Sequence, residues 1–92
     1  MLDKLIETGK EFEGKFTEEY ITCQLGILSD LESQYLQWLS KVGVYAEGKL
    51  KNKFPEMTKQ IVQIVIKKSL VLDDYNIIIG YLESVKNWIV NI

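Results

Sequence analysis

Apolar residues recur at helical spacing in four stretches of this chain, with polar residues between them. In the first, MLDKLIETGKEFEGKF, Leu2, Leu5, Gly9, Phe12 and Phe16 fall on one side and Asp3, Glu7, Lys10 and Glu11 on the other. This predicts an amphipathic helix that ends near Gly14. The second opens at SDLE, where Ser29 and Glu32 have capping-box spacing behind Leu28. Leu31, Tyr35, Trp38, Val42, Tyr45 and Lys49 then alternate by four and three, and Leu39, Ala46 and Leu50 widen the stripe until Pro55 halts it. The third, PEMTKQIVQIVIKKS, has Pro55 at a first helical position with Glu56 behind it, and sets Met57, Ile61, Ile64, Val65 and Lys68 on one face. Its β-branched IVQIVI run also suits a buried strand. Helix is the expectation, because the chain offers no second strand to satisfy that backbone. The fourth, DDYNIIIGYLESVKNWIVNI, has Asp73 as its candidate cap and a seam of Tyr75, Ile78, Leu82, Val85, Ile89 and Ile92.

Between the first two stretches, Thr17 is a candidate cap and Glu18 and Glu19 suit the positive end of a helix. A short helix or turn is predicted there, opening into a loop near Gly26. Together these elements predict an all-α fold, a compact antiparallel bundle of about four helices. The 92 residues make one domain, 1–92. A chain of this length buries only roughly 60 to 65% of its unfolded surface, so association with a neighbour would add stability.

The fourth helix is apolar on more than one side, since Ile77, Tyr81 and Trp88 form a face separate from the seam. These three are the candidate interface residues. Trp38, within a stripe, reads as core, whereas Trp88 reads as a binding anchor. Gly80, at the margin of the Trp88 face, would let a partner helix approach closely.

Composition narrows the chemistry. The chain has no His, and all 11 of its basic residues are lysine. It lacks the usual proton-transfer residue near neutral pH, the commonest nitrogen ligand for a transition metal, and the bidentate fork that reads phosphate or guanine. Cys23 has no His to activate it and reads as a small buried residue. The acid pairs Glu18–Glu19 and Asp73–Asp74 are adjacent in sequence, so on a helix they point apart and make no catalytic dyad. No enzyme, cofactor or metal site is expected.

Charge is uneven. Residues 1–48 hold four lysines and nine acids, residues 49–92 seven lysines and four acids. Lys49, Lys51 and Lys53 cluster near the end of the second helix, where cations suit the dipole, and are candidate contacts for an anionic partner. Without Arg or a recognition motif, nucleic acid is not the expected partner. No apolar run reaches the roughly 20 residues that span a bilayer, and the N-terminus lacks a secretion signal. A cytoplasmic protein is expected.

The succession ETGKEFEGKF, YLQWLSKV, FP and IIIGYLESVK resembles small helical N-terminal regions of larger bacterial proteins, many of which look like components of phage defence. The resemblance rests on Tyr35, Trp38, Leu39, Lys41, Phe54 and Pro55. It implies an accessory or assembly module at the N-terminus of a longer protein, and transfers no catalytic residue. The expected function is therefore a non-catalytic interaction or oligomerisation module that positions an adjoining effector. The alternative is a free-standing small binding protein, an immunity protein or phage-encoded inhibitor, acting through its charged face.

Overall fold

The computed structural model describes residues 1–19 and 24–90. Four α-helices dominate: α1 (Leu2–Lys10), α2 (Glu32–Tyr45), α3 (Pro55–Lys67) and α4 (Leu72–Val90). Helix α1 packs on α2 and α4, and α3 packs on α2 and α4, giving the all-α bundle. The IVQIVI run lies within α3.

The stripes form the core. Tyr35, Val42, Ile61, Ile78 and Leu82 are fully buried, and Leu5, Phe12, Phe16, Leu39, Tyr75 and Val85 nearly so. Five aromatic rings, Phe12, Phe16, Tyr35, Trp38 and Tyr75, pack together where α1, α2 and α4 converge. Two polar atoms of this cluster tie it to α1. Trp38 Nε1 donates to the Leu5 carbonyl at 2.9 Å, and the Tyr75 hydroxyl donates to the Gly9 carbonyl at 2.7 Å. Gly9 is what lets α1 come this close, since a Cβ there would stand 2.4 Å from Trp38 Cζ2.

Burial pushes both phenols upward, with Tyr75 aided by the charges of Glu13 and Glu83 and raised to about 12. Tyr35 is raised further, first by burial and then by its proximity to Tyr75 and Asp74. A phenol raised in the folded state contributes stability that is fully present below its unfolded value near 10 and is lost as pH rises through the folded value. Stability should thus be flat to pH 10 on account of these groups and fall steeply toward pH 12. A titration followed by tyrosinate absorbance and circular dichroism checks this; ionisation of every tyrosine near pH 10 with helicity unchanged would contradict it.

The connections differ from the helical reading in several places. Helix α1 stops at Lys10, and successive tight turns, bonded from Glu11 N to Thr8 O through Lys15 N to Phe12 O, carry the chain past Gly14, whose φ is +78°. Within the stretch Thr17–Ser29, predicted as a short helix or turn, Glu18–Glu19 (β1) and Leu25–Gly26 (β2) instead form a small antiparallel ladder, and residues 20–23 lie outside the described residues. Gly26 also bridges Val71, and Ile27 N donates to Leu70 O at 2.9 Å, so this ladder is held by the α3–α4 connection. Glu18 and Glu19 are strand residues, not first-turn acids.

The capping box at Ser29 does not form. Ser29 sits inside a 3₁₀ turn (Ser29–Leu31), where its hydroxyl and amide donate to Glu18 Oε1 at 2.7 and 3.3 Å. Those bonds hold the Glu18 carboxyl below its usual range. Helix α2 runs into a wider π turn (Ala46–Leu50), whose extra residue per turn buries Leu50 and leaves Lys49 exposed. Phe54, at φ −133° and ψ 64° ahead of the proline, lies between this turn and α3, and Pro55 is at the first turn as expected. Lys68 does not continue the α3 face: it caps the helix in the left-handed region at φ 54°. Asp73 lies within the first turn of α4 rather than ahead of it. Ile89 leaves the seam, being 50% exposed. Cys23 and Ile92 lie outside the described residues.

Candidate interaction site on the outer side of α4

Helix α4 presents its seam inward and leaves Ile77 and Trp88 each about two-fifths exposed, at 41% and 42%. The step of eleven residues from one to the other corresponds to three turns, about 16 Å along one side of the helix. Tyr81, one turn beyond Ile77, is half-buried, and its hydroxyl donates to Gln60 Oε1 on α3. The three predicted interface residues therefore share a side without sharing an environment.

Trp88 is held by the segment between the π turn and α3. Phe54 meets its ring edge-on with centroids 5.3 Å apart, and Lys53 Nζ stands 5.2 Å from its centroid. The edge-to-face contact contributes about 0.5 to 1.5 kcal/mol and the exposed cation contact about 0.5 to 1 kcal/mol. An ordered ring with a cation beside it results. Gly80 is exposed, and a Cβ at that position would meet nothing within 4 Å.

The candidate lysines separate. Lys53 joins Trp88, Lys51 pairs with Glu47 one turn earlier at 3.7 Å, and Lys49 is exposed on the π turn. They form no common anion pocket.

Sequence spacing missed three features of the surface. Phe54 as a partner of Trp88 is the first; its position before Pro55 marked only a helix boundary. The second is an apolar groove of about 650 Å³ between α2 and α3, lined by Gly43, Val44, Gly48, Val62 and Val65. Val44, lying off the α2 stripe and 72% exposed, was its one visible signal. The third is a cleft of about 690 Å³ between α1 and α2, flanked by Lys4, Lys15 and Lys41.

Among the described residues, no group of three or more acidic, Cys or His side chains is arranged to hold a metal ion, and no helix is long and apolar enough to cross a membrane. Compared with known proteins, the chain matches no family model, no curated protein and no solved structure.

Proposed function

We propose that this domain is a non-catalytic protein-interaction module that self-associates through the outer side of α4. The observation that carries this reading is the anchoring of a part-exposed Trp88 by Phe54 and Lys53. An aromatic ring already fixed in one orientation loses little conformational freedom on binding, and tryptophan is favoured among the residues that dominate interface energy. Ile77 extends the apolar contact three turns away, and the bare backbone at Gly80 lies between the two. A two-fold contact would place the same side of α4 on both copies, so each Trp88 finds apolar surface on the partner helix. In a longer protein, such pairing would bring the adjoining effector regions together.

Sedimentation velocity of wild type and Trp88→Glu at low and high salt tests the reading. The wild type should be a dimer or larger, and Trp88→Glu a folded monomer. Because apolar contact dominates, salt should change the wild-type assembly little, whereas pairing of the acidic and basic halves of two copies would weaken sharply. A wild-type monomer at high protein concentration, or an assembly untouched by Trp88→Glu, defeats the proposal.

A further inference from the structure

Val44 on α2 and Ile66 on α3 are 72% and 73% exposed, more open to solvent than either Ile77 or Trp88. Neither belongs to the core. Val44 projects from one wall of the groove between α2 and α3, and Ile66 stands one turn beyond Val62, which lines the opposite wall. Between these two lips the floor is low: Gly43 lies against Val65, where a Cβ would stand 3.2 Å from Cγ1, and a Cβ at Gly48 would meet nothing within 4 Å. Projecting aliphatic groups beside bare backbone make a shape that a second copy of the same face can fill.

The levels of the two helices fix how such a pair would register. Val65 borders the groove with Lys68 toward Ser33 and Leu36, and with Val62 toward Glu47 and Gly48, so α3 runs antiparallel to α2. Gly43 and Val65, in contact, mark one level. A two-fold axis parallel to the helices lays α2 of one copy along α3 of the other and keeps every residue at its own level. Val44, next after Gly43, then comes level with Ile64 of the second copy, midway between Val62 and Ile66. Those two are one turn apart on one side of α3, so Val44 seats between them.

Charge selects this arrangement over the other two-fold one. Glu47 stands on the α2 wall, and Lys59 neighbours Val62 on the α3 side; both are exposed. With the axis along the helices, Glu47 comes level with Ile61 of the second copy, about 3 Å along the helix from Lys59. Two pairs of opposite charge then flank the two seated valines. An axis across the helices would instead set the acid-bearing wall against itself and the lysine-bearing wall against itself. The contact of Glu47 with Lys51, exposed and 3.7 Å long, holds the carboxylate only weakly. We infer that the α2–α3 face is a second self-contact, in which two copies pair about an axis parallel to these helices and exchange Val44. Its apolar part is small, so it is the weaker of the two contacts. Pairs joined through α4 present two such faces at once and should link into larger assemblies as concentration rises; only that linkage rests on the α4 reading.

Sedimentation of the whole protein from about 10 µM to about 1 mM tests it, with Trp88→Glu and Val44→Glu separating the two contacts. The wild type should grow beyond its α4 pair, and Trp88→Glu, monomeric at the lower end, should dimerise only at the upper end. Val44→Glu should stop at the α4 pair throughout, its second association weakened about tenfold or more, with the unfolding midpoint unchanged because the side chain is exposed. Glu47→Lys and Lys59→Glu should each weaken that step about threefold, and the two together should restore it. Should wild type and Trp88→Glu behave alike and both lose their dimer with Val44→Glu, the α4 reading fails and this contact stands. Absence of any association step sensitive to Val44→Glu, or a charge-swapped double variant weaker than either single one, overturns the inference.

Discussion

Trp38→Ala is expected to destabilise the domain by about 3 to 5 kcal/mol, the range for truncating a buried large aromatic. The indole is 2% exposed and contacts Phe12, Tyr35 and Tyr75, with ring centroids 6.0, 5.6 and 5.9 Å away. Removing it opens a cavity where α1, α2 and α4 meet, and deletes the bond to the Leu5 carbonyl. Against a total stability of about 5 to 15 kcal/mol for ordinary domains, a small bundle has little margin, and much of the population should unfold at room temperature. Urea unfolding followed by circular dichroism measures the loss. Trp38→Phe keeps most of the ring contact but not the N–H donor, so it should cost distinctly less. A loss under about 1 kcal/mol for Trp38→Ala would mean that the indole does not organise the core.

The helical seams were legible because each needs only local spacing. Tyr35, Trp38 and Val42 on α2, and Tyr75, Ile78, Leu82 and Val85 on α4, are all buried at the predicted positions. What escaped is what depends on partners distant in sequence. Strands of two residues cannot display alternation, and Glu18 finds Gly26 only after the chain has turned back. Ser29 had the spacing of a cap, yet Glu18, eleven residues earlier, takes both its donors. A charged acceptor for two bonds outweighs one local cap bond worth about 1 kcal/mol. Lys49 followed the four-three alternation until the π turn added a residue and moved Leu50 inward.

The surface was less legible than the core for the same reason. Ile77, Tyr81 and Trp88 share a helix side by spacing alone, but Lys53 and Phe54 join Trp88 only through the packing of α3 against α4. Net charge over half a chain also conceals sidedness. Helix α1 turns Asp3 to Lys86 and Lys10 to Glu83, both on α4 and each at 3.0 Å, and leaves Lys4 on its α2 side.

The close approach of α1 to Trp38 makes Gly9→Ala a second large-effect substitution, and one whose sign is contrary to propensity. In a helix interior, Ala is favoured over Gly by about 1 kcal/mol, so propensity alone predicts stabilisation. At Gly9 the added Cβ would stand 2.4 Å from Trp38 Cζ2, 2.8 Å from Cε2 and 2.9 Å from Ile79 Cδ1. The Ile79 methyl can rotate away, but the indole is fixed by its Leu5 bond and by neighbouring rings. Helix α1 must therefore shift, which lengthens the Trp38–Leu5 and Tyr75–Gly9 bonds together. Overpacking costs about 1 to 3 kcal/mol and each weakened bond about 0.5 to 1.5 kcal/mol, which exceeds the propensity gain. Gly9→Ala should lose about 2 kcal/mol net, while Gly80→Ala, whose Cβ meets nothing within 4 Å, should gain about 0.5 to 1 kcal/mol in a monomeric background such as Trp88→Glu. A double-mutant cycle isolates the cause: with Trp38 already replaced by alanine, most of the penalty at Gly9 should vanish, giving a coupling energy of about 2 kcal/mol. Where Trp38→Ala leaves too little folded protein, Trp38→Leu supplies the cycle with a smaller, flexible side chain in place of the ring. Equal effects of alanine at positions 9 and 80, or a coupling near zero, would show that the ring and the bare backbone of α1 do not set each other's positions.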